Sequence, residues 1–345
     1  MGCMEEKDRS TLRRRTENLL LSTASDSIPC DVRSRARGCL LGQLAGDSLG
    51  ALVEFRSADS IRSEYPEGVH LLAEGGPFEI LAGQPTDDSE MALALGRQIV
   101  SIGRYCAQRT GKQYRDWLRS RPFACGSTIA KALNGEKDPH SQANGALMRV
   151  SPLGIFGAGQ ARSDVMKWAR KDALITHIHP VCVQTNALYA ALIAQAIREG
   201  TNGTELYEML LGWMKRMRLE PSLRQAVECA AHEPPRDYES HMGWVLVAFQ
   251  NALWQMLHAP SLEEGVVSTV MQGGDTDTNA AIAGALLGAI YGETAIPAQW
   301  RKAILSCRPE EGHPGVKQPR PEIYWPVDAL ELADSLLGAG WHHQG

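Results

Sequence analysis

Residues 273–291 read GGDTDTNAAIAGALLGAIY. The second part of this stretch, Ala280 to Tyr291, is apolar on nearly every side of a helix, which predicts a helix at the centre of a multi-layered helical domain. The first part places Asp275 and Asp277 at the mouth of that buried helix. Buried carboxylates carry a desolvation cost unless a positive charge meets them, and a metal ion would supply one.

The rest of the chain indicates an all-α fold. Residues 36–46 are mostly small and apolar and have a helical period, and the glycines among them suit close contact between helices. No run alternates between apolar and polar residues as a strand would. Further helices are predicted at about 88–103, 112–120, 126–134, 144–155, 163–175, 181–199, 203–217, 221–231, 241–258, 261–272, 278–291, 297–306 and 327–337. We expect one compact multi-helix domain over 35–345.

Composition and charge exclude several classes of protein. The 345 residues are 43% hydrophobic, and 35 basic against 40 acidic residues give a net charge of −5, so no electrostatic footprint for nucleic acid is expected. The longest strongly apolar run, Ala280 to Tyr291, is well short of the roughly 20 residues of a membrane span. Eight scattered cysteines without a CxxC motif predict reduced thiols and a cytoplasmic location.

Residues 1–34 differ in composition from the domain. They are polar and charged, with Arg13-Arg14-Arg15 followed by Leu19-Leu20-Leu21. Two interpretations stay open: a solvated tail, or an arm that becomes ordered on contact with a partner.

Two acidic motifs each open a predicted helix. The first is Pro-Thr-Asp-Asp-Ser-Glu at 85–90, and the second is Asp-Thr-Asp-Thr at 275–278. Helix capping explains such residues individually. Hydroxyl and carboxylate oxygens also suit Mg²⁺ and Mn²⁺, whereas an EF-hand is excluded because Ala280 and Leu286 stand where Gly and Glu are required. If the two helix starts face each other, two cations can be held by Thr86, Asp87, Asp88, Asp275, Asp277 and Thr278.

Five motifs in this order resemble the ADP-ribosylglycohydrolase family. They are Gly46-Asp47-Ser48-Leu49-Gly50 with Glu54, Thr86-Asp87-Asp88-Ser89, Asn144-Gly145-Ala146-Leu147-Met148-Arg149, Thr176-His177, and Gly273-Gly274-Asp275-Thr276-Asp277-Thr278. The resemblance runs from about Arg37 to Trp300. It differs from the common pattern at Ser89, where many members have Thr, and at Ala143, where Gly is common.

The resemblance implies a compact helical domain with two Mg²⁺ or Mn²⁺ ions at the base of a cleft that holds ADP-ribose. The six residues from Thr86 to Thr278 named above match the metal ligands, and Glu54 matches an acidic residue on a loop near the metals. Arg149 either reaches a phosphate or pairs with an acidic neighbour. The residues assigned to the substrate side are Asp47, which would orient the site from behind, Asn144, Gly145, Ala146, Met148, Arg149 and His177.

The implied activity is metal-dependent hydrolysis that removes ADP-ribose from protein side chains, with arginine as the favoured linkage. Glu54, Asp88 and Asp277 are the candidates for the catalytic base, and the sequence does not rank them. The expected partner is an ADP-ribosylated protein. The alternative is an immunity protein whose arm occludes an ADP-ribosyltransferase toxin, a role that can coexist with hydrolysis.

Overall fold

The computed structural model describes residues 28–341, and within them the fold is entirely helical. No strand forms in this part of the chain, which contains three isolated β-bridges. The predicted all-α class is confirmed. The helices are α1 (Cys30–Gly50), α2 (Ala58–Glu64), α3 (Asp87–Ile102), α4 (Ala107–Arg119), α5 (Ser127–Leu133), α6 (Ser151–Gly157), α7 (Arg162–Thr176), α8 (Pro180–Glu199), α9 (Gly203–Met214), α10 (Pro221–Cys229), α11 (Val245–His258), α12 (Leu262–Val270), α13 (Thr276–Tyr291), α14 (Ala298–Ser306) and α15 (Ala329–Trp341).

Helices α1 and α13 form the centre of the molecule and make its most extensive helix–helix contact. They run antiparallel, and the facing positions are Gly38 with Gly288, Gly42 with Gly284, and Gly46 with Ala280. A Cβ atom built on Gly42 would lie 2.1 Å from the carbonyl oxygen of Gly284, and one built on Gly284 would lie 2.1 Å from that of Gly42. The two backbones therefore touch directly, and glycine is required at these positions because there is no room for a side chain.

The remaining long helices pack around this pair. Helices α8, α11 and α12 cover α13, while α15 lies against α1 and α6. By its length and its mean hydropathy of 1.2, α8 is also a candidate membrane span, although its sequence has no long unbroken apolar run. Since 78% of its most apolar stretch is buried inside the fold, α8 has the surroundings of a central helix in a packed domain.

The first helix begins earlier than the sequence analysis predicts. Helix α1 starts at Cys30, and Val32 is already buried, so the predicted boundary at residue 34 falls inside a helix. Most of the predicted arm, residues 1–27 with its arginine and leucine runs, lies outside the described residues. Its proposed role as a partner-binding segment stays a prediction.

Two predicted helices, 144–155 and 241–258, begin too early. The structure starts α6 and α11 several residues later, at positions that follow an irregular segment in each case. These two segments pair with each other, because Ala143 and Trp244 form an isolated antiparallel bridge with hydrogen bonds on either side. The pairing uses the backbone groups that a longer helix would need.

A buried ion pair attaches the C-terminal segment to the core. Glu90 on α3 accepts hydrogen bonds from Arg320 at 2.7 and 2.8 Å and from the indole of Trp117 at 2.7 Å. Arg320 also donates to the carbonyl of Ser120 at 2.9 Å. Both charges are almost fully enclosed, so each depends on its partner to offset its desolvation.

The contact between α1 and α13 predicts a large difference between two glycine-to-alanine variants. Gly42→Ala forces the two backbones apart, so we expect it to lower the free energy of unfolding by about 3 kcal/mol. Gly212→Ala is the control, because Gly212 is exposed on α9 with no neighbouring atom near the added methyl, and it should gain about 0.5–1 kcal/mol. Urea denaturation measures both, and equal effects would contradict the assignment of α1 and α13 as a backbone contact.

Candidate metal centre and its cleft

The antiparallel pairing of α1 and α13 places the end of one helix beside the start of the other. Thr276, in the first turn of α13, donates its hydroxyl to the carbonyl of Gly50 at 2.7 Å. A Cβ atom on Gly50 would lie 2.4 Å from the Cα of Asp277, which shows how closely the two helix ends approach. The acidic start of α13 therefore lies beside the segment that contains Asp47 and Glu54.

Asp47 brings the start of α3 to the same place. Its buried carboxylate accepts hydrogen bonds from the backbone N–H of Thr86 at 3.1 Å and of Ser89 at 3.0 Å. These are free N–H groups of the first turn of α3, so Asp47 caps that helix from a different helix. Asp47 does not line the cleft, and its predicted role of orienting the site from behind stays a prediction.

Two sets of carboxylates meet at the floor of the cleft, and all of their residues except Asp47 line it. Oxygen atoms of Asp47, Asp88 and Asp277 lie within 4.8 Å of one another, and so do oxygen atoms of Glu54, Asp275 and Asp277. Asp277 belongs to both sets. The sequence analysis expected the two acidic motifs to face each other, and the structure brings them together in this way.

Burial raises the pKa values of four of these acids, and repulsion between carboxylates adds to the effect at three of them. Burial is the main cause at each one, raising the pKa of Asp47 to about 6 and, with help from the charge of Asp275, that of Glu54 to about 8. The pKa values of Asp88 and Asp277 lie well above the ordinary range of aspartate, because neighbouring carboxylates add to the effect of burial. Protein groups alone thus leave the negative charge of the cluster uncompensated.

The donor set fits a hard divalent cation. Glu54 Oε2 and Asp88 Oδ1 are buried and have no hydrogen-bond partner. Among the described residues that line the cleft, none is a lysine or an arginine. Carboxylate and hydroxyl oxygens without a basic neighbour are the ligands that Mg²⁺ and Mn²⁺ prefer, and a cation would satisfy the two unpaired oxygens.

The other three predicted ligands border the carboxylate sets. The Thr86 hydroxyl lies 2.8 Å from Asp47 and 2.9 Å from Asp88, and since a hydroxyl has one proton it cannot donate to both. Asp87 lines the cleft, accepts a hydrogen bond from the Gly126 N–H at 3.2 Å, and belongs to neither set of three. Thr278 also lines the cleft. Direct ligation by these three side chains stays a prediction.

Four of the residues predicted on the substrate side line the cleft: Asn144, Gly145, Met148 and His177. Asn144 does not open a helix as expected, and its side-chain amide donates to Asp275 at 2.7 Å. The buried ring of His177 contacts the Thr176 hydroxyl through Nδ1 and leaves Nε2 without a partner. Burial and the charge of Arg149 lower the pKa of His177 to about 3, so its imidazole is neutral.

Arg149 and Ala146 do not reach the cleft. Arg149 is completely enclosed, forms an ion pair with Asp172 at 3.1 Å, and lies over the ring of Tyr114 at 4.3 Å. Its Nη1 donates to the carbonyl of Gly145 at 3.3 Å. Of the two roles considered for Arg149, the structure supports pairing with an acidic neighbour and contradicts a phosphate contact. Ala146 is fully buried and does not line the cleft.

The cleft also contains residues that the motifs did not reveal. Its volume is about 680 Å³, within the range of small-molecule sites. The additional lining comes from segment 123–129, from Met242 and Gly243, and from Phe55 and Phe78. These residues lie on irregular segments and at the start of α5, and only the fold brings them together. The sequence shows only that phenylalanine is scarce, with five in the chain, and this does not say which of them lie at the cleft.

The fold and the cleft define a helical protein with an acidic site suited to divalent cations. A sequence profile of the ADP-ribosylglycohydrolase family matches residues 29–340. The chain therefore belongs to the ADP-ribosylglycohydrolase family, as the five motifs predict. The match extends beyond the resemblance at 37–300 and includes the start of α1 and helix α15.

Individual relatives agree with this assignment. The ADP-ribosyl-dinitrogen reductase glycohydrolase of Rhodospirillum rubrum is 32% identical over 279 residues, covering 78% of this chain and 90% of that protein. The ADP-ribosylarginine hydrolase of Pseudomonas putida is 28% identical over 302 residues, covering 83% and 78%. A solved structure described as an ADP-ribosylglycohydrolase-related protein complex has a TM-score of 0.74 and 28% identity, over 90% of this chain and 100% of that one.

The raised pKa values predict how the metal-free protein responds to pH. Carboxyl groups whose pKa is higher in the folded than in the unfolded protein keep their protons longer in the folded state, so the free energy of unfolding falls as pH rises from the unfolded pKa to the folded pKa. With unfolded values of about 4 and folded values of about 7 for Asp87 and about 8 for Glu54, the free energy of unfolding should fall from about pH 4 and level off above about pH 8. Millimolar Mg²⁺ should remove this loss, as measured by thermal unfolding at several pH values.

Asp277→Asn provides the matched comparison, because it removes the carboxylate shared by both sets while nearly preserving its shape. We expect a weaker dependence on pH without metal and a much smaller Mg²⁺-induced rise in melting temperature. A wild-type protein whose melting temperature at pH 8 does not respond to Mg²⁺ or Mn²⁺ would contradict a cation site here.

Proposed function

We propose that this chain is a metal-dependent hydrolase that removes ADP-ribose from arginine side chains of modified proteins. The observation that carries the proposal is the pair of carboxylate sets that share Asp277 on the floor of the cleft. Family membership and the names of two relatives, one an ADP-ribosylarginine hydrolase, support the substrate class. An ADP-ribosylated protein is thus the proposed partner, and the cytoplasm the proposed location.

Two divalent cations, Mg²⁺ or Mn²⁺, would be held by the two sets. In the first set Asp88 and Asp277 would be the ligands and Asp47 would orient them from behind, and in the second set Asp277, Glu54 and Asp275 would be the ligands. When bound, such cations supply positive charge and Lewis acidity beside the ribose. The protein contributes a fixed arrangement of oxygens: Asp47 is held by the first turn of α3, and Asp275 is held by the amide of Asn144.

Glu54 is the side chain best placed to transfer the proton of the attacking water. It lines the cleft, and because a carboxylate has two oxygens, one can face a cation while the other exchanges a proton with the water. A carboxylate placed in this way can both accept and return a proton. The water oxygen bonds to ribose C1 as the bond from C1 to the guanidino nitrogen breaks. Glu54 takes the water proton and passes it to the departing nitrogen, so arginine leaves as a guanidinium.

The opposite wall suits the remainder of the ligand. The neutral His177 offers an unpaired Nε2. Gly145 has no side chain here, and a Cβ at this position would lie only 2.8 Å from the Ile129 side chain. An uncharged imidazole can accept or donate a single hydrogen bond to a ribose hydroxyl or a phosphate oxygen. Arg149 acts behind this wall by binding the carbonyl of Gly145.

The proposed function predicts that loss of the shared carboxylate abolishes turnover while the fold is kept. With Mg²⁺ present, Asp277→Ala should lower the release of ADP-ribose from an arginine-modified protein by at least about a hundredfold. A serine-modified peptide, assayed in parallel, defines the linkage. Circular dichroism and urea denaturation check that the variant is folded.

Asp59→Asn is the control for removal of one aspartate charge, because the Asp59 side chain is 98% exposed on α2 and belongs to neither carboxylate set. It should hydrolyse as the wild type does. Full hydrolysis by Asp277→Ala, or equal rates with Mg²⁺ and with a chelator, would overturn the proposal.

A further inference from the structure

Three of the five phenylalanines in the chain line one side of the cleft. The rings of Phe55 and Phe78 contact edge to face with centroids 6.3 Å apart, and Phe78 contacts Phe123 at 5.5 Å. The remaining two, Phe156 and Phe249, are buried in the core. Phenylalanine therefore has two separate uses in this protein, and the larger share is at the cleft.

The aromatic side chains at the cleft are not fully covered by the protein. Phe55 is 59% exposed, and Phe78 and Phe123 are partly exposed. Exposed aromatic surface that is contiguous and concave is typical of a binding site. Since each ring lies on a different irregular segment, the contact among them is a product of the tertiary fold.

The three segments hold their rings through unfavourable backbone conformations. Phe55 has a φ of 66°, Glu79 next to Phe78 has 52°, and Arg121 near Phe123 has 56°. No other non-glycine residue in the described part of the chain has a positive φ. Such conformations persist where the surroundings impose them, and they concentrate at functional sites.

Hydrogen bonds fix two of these segments. The Phe55 N–H donates to the Gly274 carbonyl and the Gly274 N–H donates to the Arg56 carbonyl, both at 2.9 Å. The turn that bears Phe78 is closed by reciprocal bonds between Gly75 and Ile80 at 3.0 and 2.9 Å. The backbones that bear Phe55 and Phe78 are therefore pre-organised before any ligand binds.

The charges around this surface select the class of group that it can bind. Glu54 precedes Phe55 directly, Asp87 lines the same cleft, and the described lining has no lysine or arginine. An aromatic face in a cleft without basic side chains attracts a planar cation, and guanidinium stacks on aromatic rings. A serine side chain linked to ADP-ribose through its hydroxyl is uncharged, so the aromatic face does not attract it in this way.

We propose that Phe55, Phe78 and Phe123 form an aromatic wall that binds the guanidino side of an ADP-ribosylated arginine and selects it over serine-linked ADP-ribose. The inference rests on the proposed function, because it assigns the part of the cleft that faces the modified side chain. The wall positions the leaving group, whereas the carboxylates and the Asn144 side of the cleft bind the ADP-ribose.

The test substitutes leucine at Phe55, at Phe123 and at both. Leucine keeps an apolar side chain but has no aromatic face, and at Phe55 it has the same cost at positive φ as phenylalanine. We expect the double variant to lose about tenfold in kcat/KM on an arginine-modified peptide. Its affinity for free ADP-ribose, measured by calorimetry with Mg²⁺ present, should stay unchanged, since ADP-ribose has no guanidino group.

A second measurement does not depend on turnover. Agmatine, a small alkylguanidine, is titrated into the Mg²⁺-loaded protein and followed by NMR. Wild-type protein should bind it in the cleft, and the double variant should bind it about tenfold more weakly. Leu71→Ala is the control, because Leu71 is 63% exposed and lies outside the cleft, so it should change neither measurement.

The outcomes separate this inference from the proposed function. An equal loss on arginine- and serine-modified peptides, or agmatine binding that ignores the substitutions, overturns the aromatic wall even if the wild type hydrolyses the arginine linkage. A wild type that fails to hydrolyse that linkage, while its agmatine binding still requires the rings, overturns the proposed function and supports the wall.

Discussion

The direct backbone contact between α1 and α13 is the constraint on which the other parts depend. Glycines on both helices remove the side chains that would separate the axes, so carbonyl oxygens of one helix lie against Cα atoms of the other. The contact fixes the register of the pair as well as its spacing. Since the helices are antiparallel, this register sets the end of α1 beside the start of α13, and there the acidic residues of both helices meet.

The site that results is electrostatically unfavourable for the protein alone. Several carboxylates are buried together, and two of their oxygens have no hydrogen-bond partner. Elsewhere the protein compensates its buried charges: Glu90 has Arg320, and Asp172 has Arg149. The absence of any basic side chain among the described residues of the cleft distinguishes it from those structural ion pairs. A site that lowers stability unless a cation binds indicates that the acids serve function rather than folding.

The cleft combines two kinds of surface with different origins. Its acidic floor comes from helix termini, and the well-defined geometry of helix termini places each carboxylate with little freedom. Its aromatic side comes from three irregular segments, which tolerate strained backbone positions near Phe55 and Phe78 because hydrogen bonds hold them. The floor suits the chemistry common to a family of hydrolases, whereas loops of this kind are where members of a family adapt to different substrates.

The sequence by itself determined the helical class, the central position of Ala280–Tyr291, the two acidic helix starts and the family, because periodicity, capping residues and ordered motifs are local signals. Only the tertiary structure decided three further points. Asp47 caps α3 from another helix, Arg149 pairs with Asp172 outside the cleft, and three phenylalanines that are distant in sequence share one cleft. Each is a contact between residues far apart in the chain, and local patterns contain no information about which distant groups will meet.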